Sequence, residues 1–320
     1  MTCAGFGPFG PGRDRLGHGI RSAAARRDAL ARFTLAAFLS TVVAVGTAAA
    51  APWSPSHIVV VIEENHSYDQ IIGNADAPYI NKLAATGALF TDSHGVAHPS
   101  QPNYLALFSG STQDTSGDGA VRGTPLTAPN LGAALIAKGY TFAGYSEGLP
   151  DVGSLKHSAR GGYARKHNPW SDWQAANPGP NQLPADANRP FRNFPSNFDR
   201  LPTVAFVVPN LSHDQHGDGL TGDRTLIRES DAWLQRNIGA YAQWAVTHNS
   251  LLIVTWDEDD NDDSPANHIA TILIGAQVKP GKYEERIDHY GVLRTIEDFY
   301  GLPHAAASAK AAPIVDAIAE

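Results

Sequence analysis

The stretch HIVVVIE, residues 57–63, carries five consecutive β-branched residues with no polar alternation. A strand with one face in water alternates apolar and polar side chains. An uninterrupted apolar run is instead covered on both faces, as in a parallel sheet flanked by helices. The runs TVAFVVPN (203–210), SLLIVTW (250–256) and HIATILIG (268–275) have the same character, and YTFAGYSEG (140–148) reads as a further strand. Helix-like segments lie between them. APYINKLAATG (77–87) and APNLGAALIAKG (128–139) each end at a glycine stop. The segment 224–247 places Ile227, Leu234, Ile238, Tyr241 and Ala245 on one face, and HYGVLRTIEDFYG (289–301) closes the pattern as a helix. This alternation predicts an α/β sandwich with a mostly parallel central sheet.

The first fifty residues have a different character. RDRLGHGIRSAAARRDALAR (13–32) holds six arginines and two aspartates, FTLAAFLSTVVAVG (33–46) is apolar, and TAAAAP (47–52) supplies small residues. A basic n-region, an apolar h-region and an A-x-A site lead us to read residues 1–51 as an export signal, its apolar part too short for a comfortable membrane span, with an uncleaved anchor as the competing reading. Residues 52–320 then read as a single domain with no stable membrane anchor, secreted or extracytoplasmic. Within it, the Pro- and Asn-rich segment 174–202 is expected to be an ordered surface excursion or a lid.

The only cysteine, Cys3, lies in the removed segment, so thiol catalysis and zinc-thiolate sites are excluded. The remaining chain has 18 basic and 30 acidic residues, a net charge near −12 that repels nucleic acid. An anionic substrate must be met by a local basic cluster.

In open parallel sheets, ligands sit beyond the carboxyl ends of the strands. Three such ends are rich in polar residues. HIVVVIE runs into Glu64 and Asn65, TVAFVV into Asn210, His213, Asp214 and His216, and SLLIVTW into DEDDNDDS (257–264), six acids in eight positions. Acids and imidazoles gathered at one edge repel unless a cation sits among them, and such an oxygen-rich set suits a divalent ion. Taken singly, the acidic run reads equally as a solvated loop and the other two as turns.

HPSQPNYLALFSG (98–110) puts Ser100 ahead of Pro102 at a helix start. Ser100 is either an ordinary cap or a nucleophile mounted on a helix N-terminus. A basic cluster, SLKHSARGGYARKHNPW (154–170), packs Lys156, His157, Arg160, Arg165, Lys166 and His167 together. It reads as a solvated face or as a phosphate clamp.

These segments, with VVVIEENHSYDQIIG, VPNLSHDQHGDG and DHYGVLRTIEDFYGL, resemble in order a bacterial phosphoesterase family. That family joins secreted acid phosphatases and phosphatidylinositol-3-phosphatases to phospholipase C-like enzymes, within the alkaline phosphatase superfamily. The resemblance implies an alkaline phosphatase-like α/β/α sandwich and one divalent metal ion held by Glu64, Asn65, Ser100, Asp257 and Glu258. It implies Ser100 as nucleophile, with His216 or His213 as the acid that protonates the leaving group. Asn103, His268 and the basic cluster are expected to bind the substrate phosphate. The expected substrate is a phosphomonoester or a phosphoinositide. A phospholipase C-like diesterase and a non-catalytic phosphate- or phospholipid-binding protein are the competing readings.

Overall fold

The computed structural model describes residues 53–260 and 265–319. The expected export signal, and Asp262 and Asp263 of the acidic run, lie outside these residues. Among the described residues no helix is long and apolar enough to cross a membrane.

The strands are β1 (His57–Glu63), β2 (Ala88–His94), β3 (Phe142–Ser146), β4 (Ser158–Ala159), β5 (Tyr163–Ala164) and β6 (Asn188–Pro190). They continue with β7 (Val204–Val208), β8 (Ser250–Trp256), β9 (His268–Gly275) and β10 (Gly281–Asp288). The helices are α1 (Tyr68–Ile71), α2 (Pro78–Thr86), α3 (Ser100–Ser109), α4 (Leu131–Ala137), α5 (Asp223–Asn237), α6 (Gly239–Ala245) and α7 (His289–Phe299). Eight strands form one sheet in the order β10-β2-β9-β8-β1-β7-β3-β6, while β4 and β5 make a separate hairpin. Within the large sheet only β9 runs antiparallel to its neighbours.

The HIVVVIE run occupies the middle of this sheet, and its side chains divide between two cores. Ile58, Val60 and Ile62 pack with Leu105 and Phe108 of α3, Leu131 of α4 and Ile296 of α7. Val59 and Val61 pack with Leu83 of α2, Leu234 of α5 and Tyr241 of α6. Both faces are therefore apolar, which is why the sequence does not alternate. The expected α/β/α layering is present.

Three local departures have physical causes. The single face expected over 224–247 is broken at Ile238–Gly239 into α5 and α6, yet Ile227, Leu234, Ile238, Tyr241 and Ala245 are all buried. β10 has no apolar signature because it is an edge strand whose residues Lys282, Glu284 and Arg286 face outward. The 174–202 excursion lends β6 to the sheet edge. Its Phe191, Phe194 and Phe198 pack against Trp233, Tyr145 and Tyr241 rather than over Ser100.

Two glycines are set by geometry. Gly110 ends α3 in the left-handed region at φ 69°, where other residues are strained. At Gly144 of β3 a Cβ would lie 2.0 Å from the Trp170 ring. That close approach seats Trp170, and with it the segment 165–172.

Candidate active site

Seven strands of the large sheet end on one edge, so Glu63, His94, Ser146, Val208 and Trp256 each launch a loop there. Backbone bonds tie the loops together. Glu64 N donates to Asp214 O at 2.7 Å, and Asp257 N donates to Glu63 O at 3.0 Å. Strand ends distant in sequence thus meet.

Ser100 is the first residue of α3, a helix buried along its whole length, and Pro99 rather than Ser100 occupies the cap position. The Ser100 hydroxyl does not cap its helix. Its Oγ lies 3.0 Å from Glu64 Oε2, 3.2 Å from Asn65 Oδ1 and 2.9 Å from Glu258 Oε1. Tyr104, one turn along α3, donates to Glu64 Oε1 at 2.5 Å. Asn65 N donates to Asp257 Oδ1 at 3.1 Å. His98 Nδ1 lies 2.6 Å from Glu258 Oε2.

Four carboxyls, those of Glu64, Asp214, Asp257 and Glu258, are gathered here with at most 1% exposure. Burial pushes Glu64, Asp257 and Asp214 well above their usual range, and neighbouring acids push in the same direction. Burial also raises Glu258 to about 7. Asp257 Oδ2 is buried with no hydrogen-bond partner, and Asp214 Oδ2 and His167 Nε2 have polar neighbours within 3.2 Å but no aligned hydrogen bond. Buried acids at this density, with an orphaned oxygen among them, are what a bound cation neutralises. The residues therefore fit a divalent ion. Two donor groups share Glu64: the oxygen-rich set with Asn65, Ser100, Asp257 and Glu258, and a second set in which Glu64, His167 and His216 offer atoms within 4.8 Å of one another. The second, with two imidazoles, suits a borderline metal.

His167 is 1% exposed and stacks on Tyr104 at 5.1 Å. Its Nε2 lies 3.0 Å from Glu64 Oε1 and its Nδ1 3.2 Å from Asp214 Oδ2. Burial, aided by Lys166 and His216, holds its pKa well below the ordinary value. Lys166 Nζ lies 3.2 Å from His216 Nε2 and is paired with Asp118. Burial works to lower Lys166, but Glu64 and Asp118 outweigh it and the net shift is upward.

The expected phosphate-binding residues separate into several groups. Lys166, His167 and His216 face the Ser100 group. His157 is exposed but lines a cavity of about 180 Å³ with Gln101, Asp118, Arg165 and Lys166. Arg165 is held by Asp172 at 2.8 Å and by Ser171, so its guanidinium is a strut. Lys156 and Arg160 are solvent-exposed.

Three expectations need correction. Asn103 does not face a substrate, because its side chain accepts from Val96 N and Ala97 N at 2.9 and 3.0 Å and donates to Ala97 O at 2.7 Å. It secures the loop that carries His98 and Ser100. His268 sits beside β2, bonded to Thr91 O and stacked on Tyr68 and His94. His213 is held by Glu147 at 2.8 Å and lines a groove whose walls include Arg228 and Arg236 but neither Ser100 nor its three partners. A polar residue near a strand end is not thereby turned toward the site.

His98, Tyr104 and Asp118 were not singled out in the sequence. The signal for His98 was its place two residues before Ser100. Tyr104 is one helical turn beyond Ser100 and so shares its face of α3. Nothing local marks Asp118.

The model of the Phosphoesterase family matches residues 74–303. The chain is 48% identical over 290 residues to a phosphatidylinositol-3-phosphatase of Mycobacterium tuberculosis, covering 90% of this chain and 91% of that one. It is 28% identical over 255 residues to an acid phosphatase of Aspergillus fumigatus, covering 75% of this chain and 54% of that longer one. The solved structure of a protein in the alkaline phosphatase superfamily from Vibrio parahaemolyticus matches the fold with a TM-score of 0.55 at 14% identity, over 82% of this chain and 71% of that one. The fold is that of the alkaline phosphatase superfamily, and the chain, a phosphoric ester hydrolase, belongs to the Phosphoesterase family.

Proposed function

We propose that this protein is an exported, metal-dependent phosphomonoesterase that works through a phosphoserine on Ser100, with phosphoinositides among its substrates. The observation that carries the reading is the Ser100 hydroxyl, held at the start of α3 by Glu64, Asn65 and Glu258, all within 3.2 Å. A hydroxyl used only as a cap would turn back to its own helix. The similarity to a phosphatidylinositol-3-phosphatase supports the substrate class, and the n-, h- and A-x-A regions of residues 1–51 support export.

A divalent ion on Glu64, Asn65, Asp257 and Glu258 would act as a Lewis acid, lowering the pKa of the Ser100 hydroxyl and neutralising phosphoryl charge. The protein's own groups do the rest. Glu258 Oε1 lies 2.9 Å from the Ser100 hydroxyl and is placed to take its proton, and His98 holds its other oxygen. Ser100 Oγ attacks phosphorus in line while the bond to the leaving oxygen breaks. Lys166 and the N–H groups at the start of α3 face the phosphoryl oxygens. His216, whose Nε2 accepts from the Lys166 ammonium at 3.2 Å, passes a proton from that ammonium to the leaving oxygen. Water then cleaves the phosphoserine: its hydroxide joins phosphorus, its proton restores the pair that protonated the leaving oxygen, and Glu258 returns its proton to Ser100 Oγ.

The test is Ser100→Ala against wild type on a soluble monoester, a phosphoinositide and phosphatidylcholine, with and without chelator. The expected result is loss of at least about 10³-fold in kcat for the variant and chelator-sensitive turnover of monoesters. Full activity in Ser100→Ala removes the nucleophile; turnover of phosphatidylcholine alone replaces the monoesterase with a diesterase.

A further inference from the structure

Asp118 occupies the donors that a substrate phosphate needs. Its Oδ1 accepts from Gln101 N at 3.1 Å, the amide next to Ser100 in the first turn of α3. Its Oδ2 accepts from Lys166 Nζ. One carboxylate thus bridges a helix N-terminus and an ammonium group, an arrangement that equally fits two oxygens of a phosphoryl group.

The carboxylate is built to leave. Its side chain is 33% exposed, so the carboxylate can swing into water without unpacking a core. Asp118 lies in the irregular segment between α3 and α4 with a glycine on each side, and neither Gly117 nor Gly119 has any atom within 4 Å of where a Cβ would stand. The segment is also fastened by Gln101, whose side-chain amide, oriented with its nitrogen toward the loop, donates to Gly119 O at 2.6 Å and to Gly117 O at 3.1 Å. Gln101, Asp118 and Lys166 all line the same cavity beside Ser100.

We propose that Asp118 is a displaceable plug that sets charge specificity: a dianionic monoester outcompetes it for Lys166 and the α3 amide, whereas a monoanionic diester does not. The inference rests on the reading of Ser100 as nucleophile and Lys166 as a phosphate partner. The physical basis is competition between anions for one pair of donors. A terminal phosphate brings two charges and three free oxygens against one charge and two oxygens on Asp118. A diester phosphate brings one charge and two free oxygens, and gains little from the exchange.

The experiment uses Asp118→Asn and Asp118→Ala in the full chain, with p-nitrophenyl phosphate, bis(p-nitrophenyl) phosphate and inorganic phosphate as probes. Asparagine keeps an acceptor for Gln101 N–H, so the loop is retained without its charge. Expected are an inhibition constant for inorganic phosphate lower by about fivefold or more, and a diester-to-monoester ratio of kcat/KM higher by about tenfold. Adding Lys166→Ala to Asp118→Asn erases the tighter phosphate binding. An inhibition constant that is unchanged or higher in both variants overturns the proposal and makes Asp118 a positioning residue for Lys166, leaving the phosphatase reading intact. Full activity in Ser100→Ala instead removes the reading on which the proposal rests, and the proposal with it.

Discussion

His98 Nδ1 lies 2.6 Å from Glu258 Oε2, while the other oxygen of the same carboxylate, Oε1, lies 2.9 Å from the Ser100 hydroxyl. His98 therefore acts on Ser100 through Glu258. Replacing it by alanine is expected to lower kcat about 10- to 100-fold with little change in KM, the usual scale for a supporting partner. His98→Asn, whose amide can stand in for the Nδ1 donor, recovers part of the loss. Steady-state kinetics with a soluble monoester checks this, and a changed KM at constant kcat contradicts it.

Glu64 belongs to both candidate donor groups, so its loss weighs more heavily than that of any other acid. In a thermal melt, divalent cations are expected to stabilise the wild-type protein by about 2.7 kcal/mol at 100 times Kd. Glu64→Gln abolishes that shift. His167→Ala weakens zinc binding without removing the shift caused by a harder cation such as Mn²⁺. Calorimetric titration with each ion separates the two groups.

Asn103 spends its amide on Val96, Ala97 and the backbone carbonyl between them and His98. Asn103→Ala leaves those buried groups short of partners and is expected to cost about 1–3 kcal/mol of stability. Because the same loop carries His98 and Ser100, kcat falls while phosphate inhibition is preserved. Weaker inhibition by phosphate at unchanged stability would return Asn103 to a substrate-binding role.

Burial raises Glu63 from 4.5 to about 8, against the opposing hydrogen bond from Ser230 at 2.8 Å. Its neutral form is favoured in the folded protein. Its contribution to stability is full below about pH 4.5, the unfolded value, and is lost as pH rises toward 8. Denaturant unfolding of the metal-free protein should show stability falling across that window, at up to about 1.4 kcal/mol per pH unit for this group. Glu63→Gln removes that part of the slope. An equally steep profile in the variant assigns the slope to other groups.

The candidate site was legible where chemistry follows a strand directly. Glu64, Asn65 and Asp257–Glu258 come straight after β1 and β8, and a parallel sheet delivers such residues to one edge whatever the loops do. Ser100 was legible as a helix start, but its role depends on partners 35, 36 and 158 residues away. Polar residues further along the loops were not legible. His213 and His216 stand three apart, yet Glu147 holds one and the other meets Lys166. Lys156 and Lys166 belong to one basic run, yet only Lys166 turns inward.

The alternation of doubly buried runs with helices determined the fold class, because residues such as Ile58 to Ile62 have no face that can meet water and must be covered on both sides. It also determined which chemistry gathers at the carboxyl edge. Strand order, the antiparallel course of β9, and the meeting of Glu64, His98, Ser100, His167 and Glu258 were decided by the tertiary structure alone. A strand buried on both faces has the same composition beside any neighbour and in either direction. Only the packed sheet selects which loop ends face one another, and that selection makes Ser100 a hydroxyl surrounded by acids rather than a helix cap.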